Sequence, residues 1–215
     1  MDASFWLQKW KKNEIAFHET KTNPTLVKYF KELSLVKGSR VFLPLCGKTL
    51  DIAWLLSNGY RVAGAELSET AIKQLFMGLG AKPKISEIGK INHYSTENID
   101  IFVGDIFELS GKMLGRVDAI YDRAALVALP EEMRNRYAEH LMKITNKAPQ
   151  LLLSFEYDQK LMEGPPFSVS NEKINLHYSD FYNLTLLAST DIPDGLKGSP
   201  AKENVWLLKN IKQKR

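Results

Sequence analysis

The first chemical signal in the chain is a carboxylate where an apolar residue would be expected. Glu66 closes the run Tyr60 to Ala65, which reads as a buried strand. An acid at such a place is costly unless it is hydrogen-bonded, and hydroxyl groups would make charge-assisted bonds to it. Upstream, Val41-Phe42-Leu43-Pro44-Leu45-Cys46-Gly47-Lys48 is another apolar run, broken at Gly47 and preceded by the basic start Lys37-Gly38-Ser39-Arg40. Between them Leu50, Ala53, Trp54, Leu55 and Leu56 follow helical spacing, closed by Gly59. Strand, glycine-bearing turn, helix, and a second strand ending in an acid is the layout of a nucleotide-type cofactor site. A further acid, Asp105, follows the apolar run Ile99 to Val103 through Gly104.

Three cofactor chemistries compete for this turn. Gly47-Lys48-Thr49 looks like the end of a phosphate-binding loop, but that motif needs a glycine five positions before the Gly-Lys pair, and Phe42 stands there. A nicotinamide dinucleotide asks for three glycines at fixed spacing, with bare backbone against its pyrophosphate. This turn has one glycine, and Leu45 and Lys48 crowd it. S-adenosylmethionine has no pyrophosphate. It asks for backbone groups near its methionine moiety, an acid after the second strand for the ribose hydroxyls, and a polar or acidic residue after the third, near the adenine. Glu66 and Asp105 occupy those two places. Read as purely structural residues, Glu66 would cap the following helix and Asp105 would be a turn residue. A nicotinamide-dependent oxidoreductase is the alternative of a different class, and a non-catalytic binder of the same fold is a third.

The elements that must position these residues alternate. Asn23-Pro24 opens a helix carrying Leu26, Val27, Phe30 and Leu33, since Asn caps and Pro is tolerated at the first helical position. Ser68 caps a helix from Glu69 to Leu79, ended by Gly80. Residues 82–98 read as polar loop with a short strand around His93-Tyr94. Val117 to Tyr121 and Gln150 to Phe155 are a fourth and a fifth strand, separated by a helix opening at Pro130 with Met133, Tyr137, Leu141 and Ile144 on one face. A turn-rich stretch, Glu163 to Phe167, precedes a short helix over 171–181 and two closing strands, Asn183 to Ser189 and Asn204 to Lys209. Strands alternating with helices call for a mostly parallel sheet covered on both faces. With a terminal antiparallel hairpin, this predicts a seven-stranded class I methyltransferase fold, α/β and Rossmann-like. A single domain over 1–215 is expected, with 1–35 as an N-terminal helical cover whose first helix carries Phe5, Trp6 and Trp10.

Composition narrows the partners. The chain is 44% hydrophobic and 25% charged over 215 residues, the balance of a globular domain. No run approaches the ~20 apolar residues that span a bilayer, and Met1 to Trp6 lacks a basic region followed by an apolar core. No membrane partner is therefore expected, and the cytoplasm is the default compartment. One cysteine, Cys46, leaves no intrachain disulfide and no basis for a structural metal cage. The net charge of +4 gathers at the ends, in Lys9, Lys11, Lys12 and in Lys209, Lys212, Lys214, Arg215. These read as solvated termini, so no nucleic-acid partner is expected. Without exposed heptads, a monomer is expected.

Four ordered motifs resemble one family. Phe42-Leu43-Pro44-Leu45-Cys46-Gly47-Lys48 is similar to the turn of thiopurine S-methyltransferases, where Pro-Leu-Cys-Gly-Lys replaces the glycine-rich loop. Trp10 with Ala16-Phe17-His18 resembles that family's N-terminal segment, and Gly164-Pro165-Pro166-Phe167 its late active-site loop. Asp122-Arg123-Ala124-Ala125-Leu126-Val127-Ala128 resembles its fourth-strand signature, with Ala124 where glycine is usual. The resemblance implies a methyl transfer from S-adenosylmethionine to the sulfur of thiopurines or other aromatic thiols, a detoxifying reaction, leaving S-adenosylhomocysteine. Other soft nucleophiles, such as selenium or tellurium species or halide, fit the same chemistry. It implies that Trp10, Leu45, Glu66, Asp105, Ile106 and Arg123 hold the cofactor. Phe17, His18, Pro166 and Phe167, with Pro165, would wall the acceptor, and Lys197 would reach an anionic one. Arg123, after an apolar strand, needs a partner: Asp122 or Glu66 if structural, otherwise the cofactor carboxylate or an anionic acceptor that it orients. No catalytic acid or base is required by such a displacement.

Overall fold

The computed structural model describes residues 3–211, so Met1, Asp2 and the basic residues Lys212, Lys214 and Arg215 lie outside the described residues. The elements, in chain order, are helices α1 (Ala3–Lys11) and α2 (Pro24–Tyr29), strand β1 (Arg40–Leu43), α3 (Asp51–Ser57), β2 (Arg61–Glu66), α4 (Glu69–Gly78), β3 (Lys84–Ile88), β4 (Ile91–Ser95) and β5 (Ile99–Val103). They continue with α5 (Gly111–Leu114), β6 (Ala119–Arg123), α6 (Glu131–Ile144), β7 (Gln150–Tyr157), α7 (Asn171–Tyr178), β8 (Tyr182–Asp191) and β9 (Ala201–Asn210).

The strands form one sheet in the order β3-β4-β5-β2-β1-β6-β7-β9-β8. Its centre, β5-β2-β1-β6-β7, is parallel, and β9 enters antiparallel between β7 and β8. The chain lays β2 on one side of β1 and returns with β6 on the other. That reversal places a crevice at the carboxyl ends of β1 and β6, where α/β sheets take their ligands. Alternate residues of each central strand feed two cores. Val41, Leu43, Tyr121 and Leu153 point to the layer of α2, α3 and α4. Phe42, Ile120, Leu152 and Trp206 point to the layer of α6 and α7. Burial on both faces explains why these strands read as unbroken apolar runs.

The sheet differs from expectation in its extent. It has nine strands rather than seven, because the short strand expected around His93-Tyr94 is present as β4 and pairs with a further strand, β3, in an antiparallel hairpin on β5. β3 lies at the edge with Lys84 to Glu87 all exposed, so it carries no alternating pattern, whereas β4 buries Ile91 and Tyr94. The first helix also stops at Lys11, and the chain runs through turns to α2. The caps stand as predicted: Asn23 accepts from the amides of Thr25 and Leu26, and Ser68 from that of Ala71.

Candidate active site

The turn after β1 is tied down onto the end of β2. The Cys46 amide donates to the Ala65 carbonyl at 2.9 Å. The Glu66 carboxylate accepts from the Gly47 amide on one oxygen and the Ser68 amide on the other, each at 2.8 Å. Glu66 is 6% exposed, and burial pushes its carboxyl above the ordinary value while the amides of Ser68, Gly47 and Leu67 pull it back. Each oxygen keeps a lone pair for a further donor. Gly47 has φ +54°, and a Cβ there would lie 3.0 Å from Trp10 Cζ2, so glycine is needed for both conformation and space. Leu45 has φ +47°, a conformation that bulky residues seldom adopt.

Trp10 comes from the last turn of α1 and is buried against this turn. Its ring meets Phe17 edge-on at 5.5 Å, and Phe17 meets Trp6 in the same way. Lys48 Nζ lies 5.9 Å from the Trp10 ring and donates to Gln74 at 2.8 Å. Asp105 is exposed, accepts from the Phe107 amide at 2.9 Å and precedes the buried Ile106. The Ile106 carbonyl meets His140 Nε2 at 2.8 Å.

Across the cleft, β6 ends in Asp122 and Arg123. Neither expected partner serves the arginine. Asp122 turns inward to the Tyr137 hydroxyl at 2.7 Å and the Leu126 amide at 3.1 Å, while Glu66 is held by the amides already described. Arg123 instead reaches Glu19 at 3.0 Å and Asp51 at 3.6 Å. Asp51, fully buried at the start of α3, also accepts from the Asn23 amide at 2.8 Å. The arginine thus joins the N-terminal segment, α3 and β6. Arg123 Nε and Asp51 Oδ2, 3.6 Å apart, form a buried ion pair without a hydrogen bond. Ala124 has φ +64°, which explains glycine at this place in the resembling signature.

These residues line one cleft of about 1010 Å³, large enough for a cofactor and a small acceptor. Trp10, Phe17, His18, Leu45, Glu66, Asp105, Ile106, Arg123, Pro165 and Pro166 all face it, as does Lys197. Lys197 donates to the Pro165 carbonyl at 2.7 Å rather than standing free for an acceptor. Phe167 does not line the cleft; its ring lies 5.7 Å from the Arg134 guanidinium, in a separate pocket behind the loop. His18 is held below its ordinary pKa by burial, then by the charges of Lys48 and Arg123, so it is neutral near pH 7. Glu19, Asp51, Lys48 and Tyr121 also belong to the cleft and escaped the sequence reading. Asp51 had one signal, an acid at a helix start already supplied with polar turn residues; Glu19 had none.

The residues fit S-adenosylmethionine by this geometry: Glu66 has spare acceptor capacity at the strand end, and it shares one cleft with the Gly47 turn and the Trp10 ring. Comparison with known proteins agrees. A family model described as thiopurine S-methyltransferase matches residues 1–211. A thiopurine S-methyltransferase of Xanthobacter autotrophicus is 52% identical over 97% of this chain and 99% of its own. One from Teredinibacter turnerae is 52% identical over 97% of each. Among solved structures, a 1,6-didemethyltoxoflavin-N1-methyltransferase of Burkholderia thailandensis shares the fold with a TM-score of 0.67 at 15% identity, covering 97% of this chain and 87% of that one. The chain belongs to the thiopurine S-methyltransferase family and is an S-adenosylmethionine-dependent enzyme.

Proposed function

We propose that the protein methylates the sulfur of thiopurines or other heterocyclic and aromatic thiols, as a monomer in the cytoplasm. The observation that carries this is the single cleft in which the amide-held Glu66 carboxylate and the aromatic, Arg123-bearing wall share one volume. The names of the 52% identical relatives support the acceptor class.

When bound, S-adenosylmethionine supplies a methyl group on a positively charged sulfur. Glu66 accepts the ribose hydroxyls, Leu45 contributes backbone groups, and Asp105 and Ile106 border the adenine. The Trp10 indole favours a nearby cation by ~0.5–2 kcal/mol. The described part of the N-terminal segment, residues 3–35, covers the cleft, with Phe17, Pro165 and Pro166 supplying a flat apolar wall that excludes water. Arg123 orients an anionic acceptor through its fork. Passed to the acceptor's thiolate sulfur, that methyl group would leave its electron pair on a sulfur that becomes a neutral thioether, so no residue of the chain would need to act as an acid. Neutral His18 can take the proton of an acceptor that arrives as a thiol. Catalysis is then chiefly alignment.

A test uses purified protein with S-adenosylmethionine and a panel of a thiopurine, an aromatic thiol, iodide and selenite. S-methyl products from the first two at the highest kcat/KM are expected. Turnover of iodide or selenite alone, or S-adenosylhomocysteine binding with no turnover of any acceptor, would overturn the assignment.

A further inference from the structure

Behind the acceptor wall sits a buried cation that the reaction does not touch. Arg134, in the first turn of α6, is 2% exposed and forms no ion pair among the described residues, although Glu131 and Glu132 are close in sequence. A buried charge persists only when its surroundings satisfy it. Here Nε donates to the Leu129 carbonyl at 2.9 Å and an Nη to the Ser168 carbonyl at 3.2 Å, and the guanidinium lies 5.7 Å from the Phe167 ring centre. Its three partners come from two segments that both reach the cleft. Leu129 ends the stretch after β6 in which Val127, Ala128 and Leu129 line it, and Phe167 and Ser168 end the loop in which Pro165 and Pro166 line it. The segments are also stitched directly, by the Phe167 amide to the Val127 carbonyl at 2.7 Å. The loop has no regular element of its own, so side chains set its shape. Tyr157 bonds the Pro166 carbonyl and Lys197 the Pro165 carbonyl, each at 2.7 Å.

We propose that Arg134 is a positioning residue for the methyl acceptor. Without touching it, Arg134 fixes Pro165 and Pro166 through Ser168 and Phe167, and the wall following Arg123 through Leu129. The kinetic part rests on the thiol-acceptor reading above; the loop-ordering part does not. Arginine suits the place better than lysine because its planar fork holds two carbonyls in a fixed geometry while lying against a ring, whereas an ammonium is a point charge on a flexible stem.

The test compares Arg134→Met, of similar reach without donors, and Arg134→Lys with the unaltered protein. Hydrogen exchange at the amides of Phe167 and Ser168 is expected to quicken more than tenfold in Arg134→Met, with those of Gly47 and Ser68 unchanged. Displacing a substrate by ~1 Å can cost ~100-fold in rate. On that scale the acceptor KM should rise about tenfold while S-adenosylhomocysteine affinity stays within twofold. Arg134→Lys should recover part of both effects. Should Arg134→Met not fold, Arg134→Gln carries the same readouts. Unchanged exchange at Phe167 and Ser168 would overturn the inference whatever the acceptor proves to be. So would an acceptor KM and a cofactor-product affinity that move together. An unaltered protein that methylates no thiol would instead defeat the acceptor reading, and the exchange result would still decide the role of Arg134.

Discussion

Replacing Glu66 by Gln tests the site at its centre. Each carboxylate oxygen holds one backbone amide at 2.8 Å and has capacity for one ribose hydroxyl. Bonds to a charged acceptor contribute ~1.5–3 kcal/mol each. Gln retains one neutral acceptor worth ~1 kcal/mol, so the net loss of two charge-assisted bonds is roughly 3 kcal/mol. That corresponds to about a hundredfold weaker S-adenosylhomocysteine binding, at ~1.4 kcal/mol per tenfold. The fold should survive. The Gln amide group must face either Gly47 or Ser68 and strand one backbone donor, at a cost of ~1–3 kcal/mol, but the variant no longer buries a charge. Two pH dependences then separate. Burial raises the Glu66 carboxyl above its ordinary value, so on acidification it protonates early and loses acceptor capacity. Product affinity of the unaltered protein should therefore fall with pH and that of Glu66→Gln should not. Stability of the ligand-free protein runs the other way. A raised folded-state pKa contributes stability that is present below the unfolded value and is lost as pH rises through the folded one. Titration calorimetry with S-adenosylhomocysteine between pH 8 and pH 5, with urea unfolding alongside, reads both. Binding by Glu66→Gln within threefold of the unaltered protein at pH 7.5, or the same pH slope in both proteins, would refute the reasoning.

Asp122 offers a second pH test, independent of ligand. Burial pushes its carboxyl up to about 6 from 3.8, against the opposing bonds of Tyr137, Leu126 and Ala125. The shift of about two units corresponds to ~3 kcal/mol. Its sign makes this contribution fully present below pH 3.8 and lost as pH rises through about 6. Urea midpoints should therefore gain on cooling the pH from 7.5 to 5 in the unaltered protein relative to Asp122→Asn, and a pH-independent difference between the two would sink the assignment. Ala124 tests the turn that follows. A left-handed backbone costs an L-residue ~1–2 kcal/mol, less ~0.4–1 kcal/mol for the freer unfolded chain of glycine. Ala124→Gly should thus be as stable as the parent or slightly more so, and Ala124→Val clearly less stable. Thermal melts that place Val level with Ala would contradict the φ of +64°.

The sequence exposed what depends on local pattern and concealed what depends on meeting in space. Strands buried on both faces announced themselves, because their apolar runs need no partner to be read: Val41 and Phe42 feed opposite cores from adjacent positions. Of the 84–95 hairpin only the short strand around His93-Tyr94 was legible; β3 was not, because at the sheet edge it is solvated and gains its strand character only from pairing with β4. Glu66 was legible because an acid ending an apolar strand demands donors, although two of those donors turned out to be backbone amides. Phe167 was legible as part of a motif but not in its direction, since a loop without regular backbone bonds leaves side-chain orientation to contacts such as that with Arg134.

Arg123 shows the same division most sharply. The need for a partner followed from burial alone, but its identity did not. The neighbouring acid in sequence, Asp122, sits on the same strand, and alternation sends its side chain to the opposite face, where Tyr137 holds it. The partners had to come from whichever acids other elements deliver to the strand's carboxyl end. They are Asp51 at the start of α3 and Glu19 on the N-terminal segment. Because Glu19 belongs to the N-terminal segment and Asp51 to α3, one guanidinium ties both to the end of β6, a junction that no local pattern around Arg123 could announce.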